Sequence, residues 1–214
     1  MIELRNLTKV FREQVVLQDI NATFSSSLIH GLIGRNGVGK TVLLRLLCGL
    51  MRPTQGQVVV DGKQLGKDAD FAPDAGIIIE TPRFLPYLSG FRNLRELASI
   101  RNTISKAEIA AAMEEVGLDP ASRKRVGKYS LGMCQRLGIA QAIMEHPRIL
   151  ILDEPMNGLD TQGMEDVRKL LQKQKEAGVT VILASHSMED IRLLCDTVHR
   201  IQDGALIPCT TEFA

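Results

Sequence analysis

The sequence predicts an α/β fold, a mostly parallel sheet with a block of helices inserted into it. Three observations carry this. Apolar runs without polar alternation, at 29–33, 76–79, 148–152 and 179–184, read as strands buried on both faces, the habit of parallel strands covered by helices. Helical patterns separate the last of these runs, giving strand–helix–strand order. From about Leu85 to His146 the pattern is helical with no convincing strand, which marks an insertion.

In chain order, Gln14-Val15-Val16-Leu17 and Ala22-Thr23-Phe24 are rich in β-branched or aromatic residues and predict two short strands. Ile29-His30-Gly31-Leu32-Ile33 is a buried strand that runs straight into a glycine-rich loop. Val42 to Gly49 is dense in leucine with no breaker, which predicts a helix. Gln57-Val58-Val59-Val60 is a strand ended by the turn signal Asp61-Gly62. Ser105-Lys106-Ala107-Glu108 has the form of a capping box, and Ile109, Ala112, Met113 and Val116 follow at helical spacing until Gly117. Ser130 opens another helix, with Met133, Leu137, Ala140 and Met144 on one face. Met164, Val167, Leu170 and Leu171 mark an amphipathic helix ending at Gly178, and Ser187-Met188-Glu189-Asp190 caps a last one. The expected division is one domain over 1–214, with an α/β core at 1–84 and 147–214 and a helical subdomain at 85–146.

Composition narrows the function classes. A chain of 214 residues suits one domain. Lys plus Arg total 26 against 25 Asp plus Glu, so bulk charge does not favour a nucleic-acid partner, and none is expected. No apolar run approaches the roughly 18 residues of a membrane span, and the longest, 42–51, is interrupted by Arg45. The first residues lack the apolar core of a secretory signal. Cys48, Cys134, Cys195 and Cys209 are scattered, with no CxxC pair or zinc spacing, so reduced thiols in a cytoplasmic protein are expected.

Gly34-Arg35-Asn36-Gly37-Val38-Gly39-Lys40-Thr41 matches GxxxxGK[ST] between a predicted strand and a predicted helix that begins at Val42, the context the motif requires. Its glycines let successive N–H groups curl inward at phosphate oxygens. Lys40 adds a point charge for the β- and γ-phosphates, Thr41 offers a hydroxyl to Mg²⁺, and the helix dipole favours the same anion. Asp153-Glu154 ends a buried strand, where ligands sit in open α/β sheets. Neighbouring strand residues point to opposite faces, so the carboxylates can divide the work: Asp153 holding the Mg²⁺ shell, Glu154 polarising an attacking water. No NKxD segment exists, which counts against a GTPase.

This order of motifs resembles the ATP-binding subunit of an ATP-binding-cassette (ABC) transporter over nearly the whole chain. Tyr129-Ser130-Leu131-Gly132-Met133-Cys134-Gln135-Arg136 aligns with that family's LSGGQ signature and following QR. Asn157-Gly158-Leu159-Asp160 resembles the D-loop, Ser185-His186 the switch histidine, and Phe11 the aromatic that stacks on adenine. The resemblance implies a P-loop NTPase (RecA-like) core with an N-terminal antiparallel β part and an inserted helical subdomain. It implies a Mg²⁺-dependent ATPase that forms a head-to-tail dimer with two sandwiched ATP molecules. Ser130 and Gly132 would then cap the γ-phosphate held by the partner subunit, His186 would touch it, and Asp160 would couple the two sites.

Three positions depart from the family pattern. Glu80 stands where Gln is usual; a carboxylate can still bind Mg²⁺ or a water, but it adds charge beside a triphosphate. Leu131 and Met133 replace a Gly and the Gln of the signature, Leu131 restricting the backbone and Met133 removing an amide donor. Arg35 replaces a common Pro. The first two departures resemble ABC ATPases of the bacitracin-resistance and lantibiotic-immunity type. Cys134 is expected to be a harmless helix-surface position. The resemblance also implies a separate integral-membrane permease, with this chain peripheral on the inner face of the cell membrane, as a homodimer. The aromatics Phe84, Tyr87 and Phe91 read equally well as a docking surface for the permease and as core of the insertion. The alternatives weighed are a non-transport ABC ATPase of DNA repair or ribosomes, and a nucleotide-gated regulator that hardly hydrolyses.

Overall fold

The computed structural model describes residues 1–209, so positions 210–214 of the expected core segment lie outside the described residues. The chain runs β1 (Ile2–Phe11), β2 (Gln14–Phe24), β3 (Ile29–Ile33), α1 (Lys40–Leu47), β4 (Gln55–Val60), β5 (Lys63–Gln64) and β6 (Ala75–Ile78). The helices α2 (Gly90–Arg101), α3 (Lys106–Glu115) and α4 (Leu131–Ile143) follow. The chain ends with β7 (Ile149–Asp153), α5 (Thr161–Glu176), β8 (Thr180–Ala184), α6 (Met188–Leu194), β9 (Thr197–Gln202) and β10 (Ala205–Cys209).

Two sheets result. One is antiparallel, in the order β2-β1-β4-β5; the other is six-stranded, in the order β10-β9-β3-β8-β7-β6, parallel except for the β9–β10 hairpin. Every residue of β3, β7 and β8 is buried, which is why these strands read as unbroken apolar runs. Within β7 the alternation splits the core. Ile149 and Ile151 pack with α1 and the antiparallel sheet, while Leu150 and Leu152 pack with α2, α3 and α4. Gly76 has no room for a side chain, because a Cβ there would meet the Ala142 carbonyl of α4. That close approach seats the helical segment on the sheet edge.

Several elements differ from expectation. The two short strands predicted at 14–17 and 22–24 are one continuous β2, bulged at Asp19, whose φ is 45°. Strand β1 escaped the sequence analysis because Asn6, at φ 49°, shifts the register and breaks the alternation between Leu4 and Leu7. The β9–β10 hairpin turns on Asp203-Gly204, both at positive φ, a dipeptide that marks such hairpins. Helix α4 buries Leu137, Ala140 and Met144 of its expected face, with Met133 half-buried against the same core. It is buried nearly all round, with Gln135, Leu137, Ile139, Ala140 and Ile143 inside, because it lies against both α3 and β6. The capping box at Ser105 and Glu108 is present with both reciprocal hydrogen bonds.

A histidine pair, His30 buried and His199 half-buried, lies on neighbouring strands β3 and β9 beside Phe24. His30 Nδ1 faces Thr197 Oγ1 at 2.7 Å and Nε2 faces the Ser25 carbonyl at 2.8 Å; Phe24 sits edge-on to both His30 and His199. Burial pushes both imidazoles below the ordinary 6.5, with Ser25 and Asp196 partly offsetting this at His30. The folded state therefore favours neutral rings, and the unfolded chain takes up protons first as pH falls. This contribution is complete above pH 6.5 and is lost as pH falls from there through the depressed folded values. Urea midpoints at pH 7.5 and 5.5 should differ in that direction, and the difference should shrink in His199→Phe. Equal loss in the variant would remove His199 as a contributor.

Candidate functional site

The site is built where neighbouring strands end. Ala184 of β8 pairs with Leu32 of β3 on one side and with Asp153 of β7 on the other. The loop after β3, the acid of β7 and the segment after β8 thus leave the sheet at one level. Glycine is required in the loop at Gly39, whose φ is 114° and whose Cβ would lie 3.0 Å from Val16. Gly39 is also the N-cap of α1, so no side chain covers the first N–H groups of that helix.

A cleft of about 420 Å³ opens there, lined by Arg35, Asn36, Gly37, Gly39, Lys40, Thr41, Val42, Glu80, Thr81, Gln135, Asp153, Glu154 and Asn157. Lys40 is buried and donates to the Gly34 carbonyl at 2.7 Å, which closes the loop on itself. Thr41 Oγ1 donates to Asp153 Oδ2 at 2.7 Å. These are the hydroxyl and carboxylate oxygens that a hard cation takes. Glu154 has φ 50°, just past the end of β7, and Oε2 of its carboxylate faces His186 Nδ1 at 2.7 Å and accepts from the His186 N–H at 3.3 Å. Gln135 donates to the Pro155 carbonyl at 3.1 Å, which ties α4 to the strand end that carries both acids.

Gly34 and Val38 lie on the other side of the loop, where with His186, Arg35, Ser185 and Arg200 they border a second cleft. Phe11 is exposed at the β1–β2 hairpin, with Lys9 Nζ 4.9 Å from its ring centroid, and it does not line the phosphate cleft. Ser130, Gly132 and Asp160 lie outside it too. Ser130 caps α4, its Oγ accepting from Met133 N at 3.2 Å, and Asp160 caps α5 by accepting from Gly163 N at 2.9 Å. These caps meet: a Cβ on Gly132 would lie 2.8 Å from the Gly158 carbonyl, and one on Gly158 would lie 2.6 Å from Leu131 Cδ2.

Two expectations about the signature need correction. Leu131 restricts nothing, because it is the first residue of α4, outside the left-handed region, and its side chain is exposed. Cys134 is not a surface position; it is half-buried against the core of the helical segment, and burial raises its thiol pKa. The aromatics divide as follows: Phe84 and Phe91 pack on that core, whereas Tyr87 is 62% exposed. Sequence reasoning missed Arg45, whose Nη2 lies 2.6 Å from Glu80 Oε1. No motif includes it, and only the folded chain brings the two together.

Comparison with known proteins agrees with this geometry. Residues 17–157 match the family described as ABC transporter. The chain is 45% identical over 206 residues to the uncharacterized ABC transporter ATP-binding protein YybJ of Bacillus subtilis (strain 168), covering 96% of this chain and 94% of that one. It is 42% identical over 209 residues to the bacitracin transport ATP-binding protein BcrA of Enterococcus faecalis, covering 97% of this chain and 68% of the relative. A solved structure, described as an ATP binding subunit of an ABC transporter, superposes with a TM-score of 0.89 at 26% identity, covering 99% of this chain and 90% of that one.

Proposed function

This chain belongs to the ABC transporter family of ATP-binding proteins, and from that premise we propose that it binds and hydrolyses ATP to energise a separate membrane permease, in export of or immunity to peptide antibiotics or drugs. The observation that carries the reading is one cleft holding the glycine loop, Lys40, Thr41, Asp153 and Glu154. Gly34 to Val42 take the phosphates through backbone N–H groups, and Lys40 turns from the Gly34 carbonyl to the β- and γ-oxygens. Thr41 and Asp153 are the residues that would hold Mg²⁺, whose charge offsets that of the phosphates.

Glu154 acts as general base on water, and its contact with His186 aims the carboxylate. His186 then meets the γ-phosphate. Ser130 and Gly132, away from the cleft of their own chain, serve the nucleotide of a second copy in a head-to-tail homodimer, and Asp160 lies beside that junction. Phe11, exposed on a hairpin whose Val16 abuts Gly39, is free to stack on adenine.

Among the described residues no helix is long and apolar enough to cross a membrane. In this reading the membrane-spanning path belongs to the permease, with this chain bound to its cytoplasmic side. The affinity to bacitracin transport by relationship points to peptide antibiotics as cargo. The test is affinity purification of the tagged chain from detergent-solubilised native membranes. A polytopic membrane protein at near-equal amount is expected. Recovery with ribosomes or nucleic acid alone would overturn the transport reading.

A further inference from the structure

A glutamate beside a triphosphate needs an answer to its charge, and the fold supplies one. Arg45 lies four residues after Thr41 on α1, hence on the same helix face one turn deeper. Glu80 follows β6 at φ 63°, a left-handed backbone that brings its side chain to the cleft. Arg45 Nη2 donates to Glu80 Oε1 at 2.6 Å, and among the described residues Glu80 Oε2 has no protein hydrogen-bond partner. The pair is too exposed, at 36% and 63%, to matter much for stability. Its consequence lies in the cleft. With Arg45 in place the charge of Glu80 is countered and one oxygen is held; the other remains available toward the cleft. Two residues on, Pro82 packs against Gly138 of α4, so the same loop also touches the signature helix.

We propose that Arg45 is a positioning residue for nucleotide binding: it is the counter-ion that holds the Glu80 carboxylate and offsets its repulsion of the triphosphate. This rests on the ATP-site reading above and assigns Arg45 no contact with the nucleotide. The energetics favour an effect of moderate size, since one unpaired charge near a polyanion in a half-open cleft changes affinity by about tenfold.

The test is a double-mutant cycle on the full chain, read by equilibrium binding of a fluorescent ATP analogue with Mg²⁺ and with EDTA. Arg45→Ala should weaken binding about fivefold to tenfold, more in EDTA, where the phosphates carry their full charge. In the Glu80→Gln background the same substitution should change binding less than about twofold, because no carboxylate remains to counter. Arg45→Lys should restore most of the affinity by restoring the charge. Alanine is the best helix former, so α1 is not put at risk, and the melting temperature serves as a check. An equal loss in both backgrounds would mean that Arg45 meets the nucleotide itself, and no loss in either would mean that Glu80 needs no counter-ion; each overturns the proposal. A wild-type chain that binds no nucleotide would instead overturn the reading of the site.

Discussion

Replacing Glu154 with Gln is expected to cut ATP turnover at least about 100-fold while leaving ATP binding intact, a barrier increase of roughly 2.7 kcal/mol or more. Gln matches Glu in size and can still accept the His186 N–H through its amide oxygen, so the strand end should keep its geometry. What it cannot do is take a proton from water. The variant should also accumulate as an ATP-bound dimer, visible as a shift in size-exclusion elution with ATP and Mg²⁺. Phosphate release is the primary measurement. Turnover within a fewfold of wild type would remove Glu154 as the base and direct attention to His186.

Lys40→Met should raise the Kd for ATP about 100-fold, with little change in the melting temperature of the nucleotide-free protein. The side chain is buried, and Met keeps its apolar stem, so packing survives. The loss is that of the charge-assisted hydrogen bonds to phosphate, each worth about 1.5–3 kcal/mol. Among the described residues the ammonium's one hydrogen-bond partner is the Gly34 carbonyl at 2.7 Å, a bond that water can replace at modest cost. Titration with a fluorescent ATP analogue, alongside a thermal melt, separates the two effects. A Kd within threefold of wild type would mean that the ammonium does not meet the phosphates.

The two experiments address different parts of the cleft, and their sites differ in legibility. Gly34 to Thr41 is a contiguous motif with its strand and helix in register, and in the structure it leaves the carboxyl end of β3 and runs straight into α1. Asp153-Glu154 was readable because a fully apolar strand ends on two acids. By contrast, the N-terminal strand was hidden by its bulge at Asn6, and the C-terminal hairpin carried only the Asp203-Gly204 signal in a segment without a clean apolar run. Helix α4 was legible in part: Leu137, Ala140 and Met144 are buried as expected, but a helix buried on most sides has no polar face to reveal the rest.

What the sequence determined by itself was the chemistry carried by adjacent residues and the parallel character of strands buried on both faces. Local spacing is enough there, because the loop, its helix and the acids at a strand end each lie within a few residues of chain. Only the tertiary structure decided which groups meet across long separations. Thr41 and Asp153 are 112 residues apart, Glu154 and His186 are 32, and Arg45 and Glu80 are 35. Such pairs are set by strand order and register: β8 lies between β3 and β7 and brings their ends to one level, and a left-handed backbone at Glu80 turns its carboxylate toward α1. No local propensity encodes a contact of that kind, because it depends on how the whole sheet is paired and which helix covers it.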